Sequence, residues 1–231
     1  MAQDDDRWLA TAYVEPAVFA LRPDYRALLI LADGLQPGPS DGTTEKILRS
    51  AEEGAVAEHA HLDAWRDAFR GFGAKPQRTR PSVDALIRRA PQGLPRIDRL
   101  TDAYNAVSVA HVVPIGGEDV DRYQGPLRLV RATGDEPFDT TADGAPAVEH
   151  PSPGEVVWRD DLGVTCRRWN WRQCVRTRIT NTTTRAVFIL DALGPMSDPD
   201  LASAGDALAA ALRATSPNAT LVSRKLGAPP G

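Results

Sequence analysis

The chain has 231 residues, of which 42% are hydrophobic and 25% are charged, and its formal net charge is −4. This composition is ordinary for a globular protein and excludes a general nucleic-acid coat protein, which would be strongly basic. No apolar run reaches the roughly 18 residues of a membrane helix, and the acidic start "MAQDDDRWLA" lacks the apolar core of an export signal. With only two cysteines, we expect a cytoplasmic protein with reduced thiols.

The first hundred residues predict two strands and then helices. The short apolar runs "AYVEPAVFAL" and "YRALLILADGL" favour strands, and the second ends in turn-forming residues. Apolar residues at three- and four-residue steps predict a helix from about Thr44 to Phe69, with Gly54 as a candidate break. The segment "GFGAKPQRTRP" predicts a loop, after which Ser82 is suited to cap a short helix, "VDALIRRA".

The clearest predicted helix lies in "RIDRLTDAYNAVSVAHVVP". Its helical spacing gives an apolar stripe (Ile97, Leu100, Tyr104, Val107, His111) and a polar stripe (Asp98, Asp102, Asn105). Pro114 ends this helix, and the following "PIGGEDVDRY" predicts a glycine turn that carries several acids.

The second half of the chain predicts mainly strands. These are "PLRLVRA", "GEVVWRD", "GVTCRRW" and "RAVFILDAL", followed by an amphipathic helix in "DPDLASAGDALAAALRA", a last strand in "NATLVSRK" and a frayed tail, "LGAPPG". Strands at both ends with helices between them predict an α+β fold, a single mixed-sheet domain flanked by helices. We expect this domain to span residues 1–231, with an ordered core from about residue 10 to 223.

Known cofactor and metal motifs are missing from the sequence. There is no glycine-rich loop followed by Lys-Ser/Thr and no G-x-G-x-x-G between a strand and a helix. His59 and His61 lie two residues apart on a predicted helix, which points them to different faces, whereas zinc needs three or four convergent ligands. We therefore expect no cofactor and no metal.

Basic residues are concentrated in two zones of this acidic chain. Nine lysines and arginines lie between residues 66 and 99 against three acids, and seven arginines lie between residues 158 and 185 against Asp160 and Asp161. Such zones suit either a solvated face or a local anionic partner, and the sequence leaves both interpretations open.

Three clusters could carry chemistry. The polar stripe of the central helix leads directly to Glu118 and Asp119. In "CRRWNWRQC", an extended chain would place Trp169 on one side and Arg172 on the other, an arrangement that suits base stacking with phosphate binding or simply a core face with a wet face. Asp191 interrupts an otherwise buried strand, so its carboxylate must be paired or must serve a site.

These residues resemble a known family. The segment "LTDAYNAVSVAHVVPIGGEDVD" resembles the helix-and-turn signature of the B3/B4 domain of the bacterial phenylalanyl-tRNA synthetase β subunit, and "RAVFILDALGP" is similar to a later strand of that domain. The order of motifs from "SVDALIRRAPQ" to "CRRWNWRQC" is even more similar to the free-standing B3/B4-domain proteins. The resemblance spans about residues 65 to 195 and implies a mixed α/β fold shared with a module that hydrolyses tyrosine wrongly esterified to tRNA.

The resemblance also implies roles for individual residues. The implied substrate pocket comprises Tyr104, Asn105, Gly116, Gly117, Trp169, Asn170 and Asp191. Within it, the two glycines would bring backbone close to the ester, and Asp191 would recognise the polar end of the amino acid. We expect Glu118 or Asp119 to act as the catalytic base. Five arginines are expected to bind RNA: Arg88, Arg89, Arg167, Arg168 and Arg172.

The resulting functional hypothesis is a trans-editing aminoacyl-tRNA deacylase. Its partner would be aminoacylated tRNA, with no role for DNA or a membrane. The alternative is a non-catalytic module that binds tRNA or an amino acid, which would suit the presence of Gly116 where the family's turn has a histidine. A third hypothesis is an accessory protein of a biosynthetic pathway that uses aminoacyl-tRNA.

Overall fold

The computed structural model describes residues 2–228, so Met1 and the end of the predicted frayed tail, residues 229–231, lie outside the described residues. The α-helices are α1 (Ala2–Thr11), α2 (Pro16–Leu21), α3 (Gly42–Gly54), α4 (Ala60–Gly71), α5 (Ser82–Arg89), α6 (Arg99–His111) and α7 (Asp198–Thr215), and two 3-10 helices span Ala90–Gln92 and Val120–Arg122. Within residues 2–228, no helix combines the length and the apolar character needed to cross a membrane.

The strands form two larger sheets and a hairpin. They are β1 (Tyr13–Val14), β2 (Arg26–Asp33), β3 (Ile115–Asp119), β4 (Arg128–Arg131), β5 (Phe138–Ala142), β6 (Ala145–Glu149), β7 (Val156–Arg159), β8 (Val164–Arg167), β9 (Arg172–Gln173), β10 (Arg185–Ala192) and β11 (Thr220–Gly227). One sheet has the order β1-β4-β7-β8-β9, the other has the order β11-β2-β10-β3, and β5 pairs with β6. The first sheet is mixed, because β1 runs parallel to β4 while its other pairs are antiparallel. The predicted α+β fold with a mixed sheet flanked by helices is confirmed.

Several local predictions differ from the structure. Most of the first predicted strand is instead α2, because Pro16 occupies the first helical position, where its fixed φ favours a helix. The long predicted helix is divided into α3 and α4, and α3 ends at Gly54, the candidate break. The hairpin formed by β5 and β6 has no counterpart among the predicted strands. Ser82 is the first residue of α5 rather than its cap, which is Pro81.

Helix α6 is buried around most of its circumference. Asp98 caps it, accepting from the backbone N–H of Leu100 at 3.0 Å and of Thr101 at 2.8 Å. Asp102 also serves the backbone, since its Oδ1 accepts from Ile97 N at 2.9 Å. Of the predicted polar stripe, only Asn105 therefore remains to serve a site, and the two acids instead hold the start of the helix.

The predicted acidic glycine turn is in fact the edge strand β3. It pairs antiparallel with β10, with Gly117 opposite Phe188 and Glu118 opposite Val187. A Cβ atom on Gly117 would lie 2.7 Å from Ile179 Cδ1 and 2.9 Å from Phe188 Cε1, so only glycine packs there. Glycine normally weakens a strand, and here close packing explains its presence.

A buried histidine joins α4 to two other segments. The imidazole Nδ1 of His61 donates to Val112 O at 2.8 Å, while Nε2 accepts from Trp65 Nε1 at 3.1 Å and from Leu193 N at 3.0 Å. Because Nε2 accepts both bonds, the ring is neutral. Burial lowers the pKa of His61 from 6.5 to about 4.

This histidine predicts an acid-sensitive fold. Above pH 6.5 the imidazole of His61 is neutral in both the folded and the unfolded state. Below pH 6.5 the unfolded state binds a proton, whereas the folded state stays neutral down to about pH 4. The contribution of His61 to the unfolding free energy should therefore fall by about 3 kcal/mol as the pH decreases from 6.5 to about 4. Urea titrations at several pH values between about 4 and 6.5 should show that the unfolding free energy falls more steeply with decreasing pH in the wild type than in His61→Gln. The exposed His150→Gln variant should show the same pH dependence as the wild type. Parallel curves for the wild type and His61→Gln would contradict this assignment.

Candidate functional site: a cavity between helix α6 and strand β10

A cavity of about 240 Å³ lies where α5, α6, β3, β10 and the β8–β9 segment meet. Its wall includes eight of the residues singled out in the sequence: Tyr104, Asn105, Gly116, Glu118, Trp169, Asn170, Arg172 and Asp191. The volume is below the roughly 300–1,000 Å³ of pockets for drug-sized ligands, so the cavity suits a small ligand. The polar end of α6 and the acid of β10, about 90 residues apart in sequence, thus face one space.

Asp191 lies at one end of the cavity and is 2% exposed. Its Oδ1 accepts from Tyr25 OH at 2.6 Å, and its Oδ2 accepts from Asn170 Nδ2 at 3.4 Å. Burial raises the pKa of Asp191 to about 7, and the hydrogen bonds from Tyr25 and Asn170 oppose that rise. This carboxyl can therefore exchange a proton near neutral pH.

Glu118 is the second buried carboxyl of the cavity. Its Oε2 accepts from the hydroxyl of Tyr123 and from Thr177 Oγ1, the latter at 2.9 Å. Burial raises the pKa of Glu118, while these hydroxyl donors oppose the rise. A carboxyl with a raised pKa that is fixed in orientation can act as a general base.

Strand alternation separates Glu118 from its neighbour Asp119. In β3, Gly116 and Glu118 line the cavity, whereas Gly117 and Asp119 do not. Asp119 accepts from Thr183 Oγ1 at 2.8 Å and from Asp121 N at 3.0 Å, so its carboxylate is committed to the fold. This geometry corrects two expectations: Asp119 is not placed to act as a base, and Gly117 packs in the core instead of approaching a ligand.

Aromatic rings wall the cavity without filling it. Trp169 is fully buried and packs edge to face against Tyr25 and Trp65, with ring centroids 5.0 and 5.3 Å apart. Tyr104, Trp158 and Trp171 complete the aromatic part of the wall. The indole of Trp169 is thus both core and cavity wall.

A tight turn places the two tryptophans of "CRRWNWRQC" differently from the predicted extended arrangement. Strand β8 ends at Arg167, and Arg168 and Trp169 adopt left-handed backbone angles, with φ of 48° and 66°. The chain reverses there and continues as β9. Trp169 consequently enters the core, while Trp171 stays half-buried.

The predicted RNA-binding arginines fall into separate groups. Arg168 and Arg172 lie beside Trp171, at the partly exposed edge of the cavity that we call its mouth. Their guanidinium carbons are 4.4 and 4.7 Å from the ring centroid of Trp171. Arg88 and Arg89 are exposed on the last turn of α5. Arg167 is buried, so the expectation that it faces RNA is wrong.

The partners of Arg167 explain its burial. Its Nε and one terminal nitrogen donate to the two oxygens of Glu155 at 2.9 and 2.8 Å, and the other terminal nitrogen donates to Glu149. This bidentate pair anchors the hairpin and the β6–β7 connection to β8. Arg172 also binds Glu149, at 2.6 Å, but it remains partly exposed.

Several buried polar atoms of the cavity wall have no hydrogen-bond partner among the described residues. They are Ser82 Oγ, Trp158 Nε1, Trp169 Nε1, Asn170 Oδ1 and Arg172 Nε, and only two other side-chain atoms in residues 2–228, on Arg99 and Asp102, share this property. Unsatisfied buried polar groups are rare and call for an explanation. Their concentration here gives the cavity wall unsatisfied polar atoms that a polar ligand or water could pair with.

Several lining residues escaped prediction from the sequence, among them Ser82, Trp158, Cys166 and Gln173. Ser82 is typical of a helix cap, Trp158 and Cys166 belong to runs typical of ordinary strands, and Gln173 carries no local signal. Trp158 and Cys166 are paired across β7 and β8, a contact that no local pattern specifies. Gln173 Nε2 donates to Gly117 O at 2.8 Å and so links β9 to β3.

The described residues contain no group of three or more His, Cys, Asp or Glu side chains that could hold a metal ion. The thiol of Cys166 is buried, and burial raises its pKa well above the usual value, which disfavours the nucleophilic thiolate. The reactive groups of the cavity are therefore its two carboxyls.

The ionised carboxylate of Asp191 should destabilise the folded protein at neutral and alkaline pH. Since its folded pKa of about 7 exceeds the unfolded value of 3.8, the destabilisation is absent below about pH 4 and develops as the pH rises to 7. Asp191→Asn should therefore raise the unfolding free energy at pH 8 by at most about 4 kcal/mol, and the gain should vanish near pH 4. Chemical denaturation at both pH values measures this. Asp119→Asn, outside the cavity, should show no such gain, and an unchanged stability of Asp191→Asn at pH 8 would contradict the prediction.

Comparison with known proteins agrees with the resemblance seen in the sequence. By fold, the structure is similar to an N-terminal fragment of the phenylalanyl-tRNA synthetase beta-subunit from Pyrococcus horikoshii, with a TM-score of 0.46 and 12% identity. The match covers 94% of this chain and 50% of that one, so the chain spans about half the length of the fragment. No curated protein matches the sequence. The model of the B3/4 domain family matches residues 64–220, more than half of the chain, and the chain therefore belongs to the B3/4 domain family.

Proposed function

We propose that the chain is a trans-editing aminoacyl-tRNA deacylase, which binds the acceptor end of a mischarged tRNA and hydrolyses its aminoacyl ester. The observation that carries the proposal is the cavity, which joins Asn105 of α6 to the buried carboxyls of Glu118 and Asp191. Arginines at its mouth suit the phosphates of an RNA terminus. Its size suits the side chain of one esterified amino acid.

Glu118 is the proposed general base. It takes a proton from a water molecule, whose oxygen attacks the ester carbonyl carbon. As the intermediate collapses, the bond from that carbon to the ribose oxygen breaks, and the proton passes from Glu118 to the ribose oxygen. The products are the free amino acid and uncharged tRNA, and Glu118 returns to its starting state.

The developing oxyanion needs a hydrogen-bond donor. The Nε–H of Arg172 is buried at the cavity wall without a partner among the described residues, and it is the proposed donor. A donor already in place is worth several kcal/mol, roughly 2.7–4, in comparable sites. Asn105 and Asn170 would position the amino acid through their amides.

Deacylation should depend on Glu118. With tRNAs mischarged by a broad panel of amino acids, the wild type should release amino acid substoichiometrically, whereas Glu118→Gln should be slower by roughly 10²–10⁴-fold because the proton acceptor is absent. Asp119→Asn is the matched control on the opposite face of β3 and should retain activity, with folding of both variants checked by thermal melting. Release no faster than the spontaneous rate across the panel would remove the enzymatic proposal. Stoichiometric binding without release would then favour the alternative, a tRNA- or amino-acid-binding module.

RNA binding should depend on the mouth arginines. Replacing Arg168 or Arg172 with alanine should weaken tRNA binding and reduce the slope of log K against log salt by about 0.7–0.9 for each phosphate that the native side chain neutralises. Titrations at several salt concentrations measure this slope. Arg49→Ala is the control, because Arg49 is 71% exposed and pairs with Glu45 on α3. A slope unchanged in both mouth variants would exclude these arginines from the RNA interface.

A further inference from the structure

Two buried carboxyls of the cavity differ from the other buried acids of the described residues. Five of the nine pair with arginine: Asp5, Asp84, Glu136, Glu155 and Asp160. Asp102 and Asp119 instead accept backbone N–H bonds. Within residues 2–228, only the carboxyls of Glu118 and Asp191 have neither an arginine partner nor a backbone N–H donor, and both line the same cavity. Because a buried charge requires a partner, these two carboxyls lack the cations that the rest of the fold provides.

The two acids are separated along the sheet that lines the cavity. Glu118 is opposite Val187 in the register of β3 and β10, and Asp191 lies four residues further along β10. At about 3.3 Å per residue, the two positions are about 13 Å apart along one face of the sheet. Gly116 and Ile189 form the floor between them.

An unpartnered acceptor accompanies Asp191. Asn170 donates from Nδ2 to Asp191, but its Oδ1 is buried without a partner among the described residues, and the residue is 7% exposed. A carboxylate beside a free amide oxygen offers acceptors only. An ammonium group, which has three N–H donors, would satisfy both.

The space between the carboxyls of Glu118 and Asp191 suits a hydrocarbon chain that carries positive charge. Tyr104, Trp158 and Trp169 line it with aromatic rings. Aromatic faces attract ammonium groups and cover methylene groups equally well. Among the described residues, no lysine lines this cavity, and the one lining arginine, Arg172, already pairs with Glu149.

We infer that the cavity selects an aminoacyl group with a basic side chain of about the length of lysine, whose α-ammonium and side-chain ammonium meet Glu118 and Asp191 at the two ends. Six bonds separate the nitrogen atoms of lysine and span roughly 7 Å when extended. Adding a hydrogen bond of about 2.8 Å at each end gives roughly 13 Å, a length compatible with two side chains that rise from the same face of the sheet at Cα positions about 13 Å apart. The inference rests on the proposed function only in taking the ligand to be an aminoacyl group.

The test uses amino-acid amides, which imitate the aminoacyl group but carry no ester. Isothermal titration of the wild-type protein with L-lysinamide and L-norleucinamide compares two ligands of equal chain length that differ in the side-chain ammonium. We expect lysinamide to bind at least tenfold more tightly. Asp191→Asn should reduce this preference, Glu118→Gln should weaken the binding of both amides without changing their ratio, and Asp119→Asn should retain the preference. Equal affinities in the wild type, or tighter binding of norleucinamide, would overturn the inference without reliance on any variant.

A parallel assay separates this inference from the proposed function. Deacylation of some mischarged tRNA without a preference for lysinamide would overturn the inference and leave the deacylase proposal standing. A preference for lysinamide without deacylation of any tRNA would support the inference and overturn the deacylase proposal. L-Tyrosinamide and L-phenylalaninamide complete the panel, and tighter binding of either than of lysinamide would also overturn the inference.

Discussion

The antiparallel register of β3 on β10 is the constraint on which the site depends. Side chains alternate between the two faces of a sheet, so this one register places Gly116, Glu118, Ile189 and Asp191 on the cavity side. The same register turns Phe188 to the other face of the sheet, into a hydrophobic cluster that includes Leu201 and Leu208 of α7. A shift of β3 by one residue would exchange its two faces and remove Glu118 from the cavity, while Asp191 stays in place because β10 also pairs with β2. The tight packing of Gly117 against Phe188 and Ile179 opposes such a shift, since no other residue fits there.

Buried carboxyls have different partners in the cavity and in the surrounding fold. Outside the cavity, ion pairs such as Arg167 with Glu155 and Arg176 with Asp160 join neighbouring segments of the chain. Breaking such a pair leaves an uncompensated buried charge, which explains why these arginines are structural. Within the cavity, Glu118 and Asp191 are held only by hydroxyl and amide donors. The fold therefore tolerates a local cost at the place where a ligand can supply the missing charge, which is a common feature of functional sites.

The mouth of the cavity shows how one short segment serves two purposes. In the turn after β8, Trp169 packs into the main core while Trp171 remains at the surface beneath two guanidinium groups. Glu149 of the hairpin holds both Arg167 and Arg172, so it links the buried ion pair to the exposed arginine. The position of the mouth is thereby fixed by the core and by an ion-pair network.

The sequence by itself determined the α+β class, the strands β2 and β10, the central helix α6 and eight of the seventeen residues that line the cavity. Local signals sufficed for these because an apolar run, a helical period and an acid within a buried strand each carry their own physical meaning. The sequence did not determine that β3 is a strand, that Asp119 and Gly117 face away from the cavity, or that Arg167 is buried. Those outcomes depend on partners far along the chain: β10 for β3, Thr183 for Asp119, and Glu155 and Glu149 for Arg167. Tertiary structure decided them, because the face of a strand and the pairing of a charge are set by long-range contacts and not by local spacing.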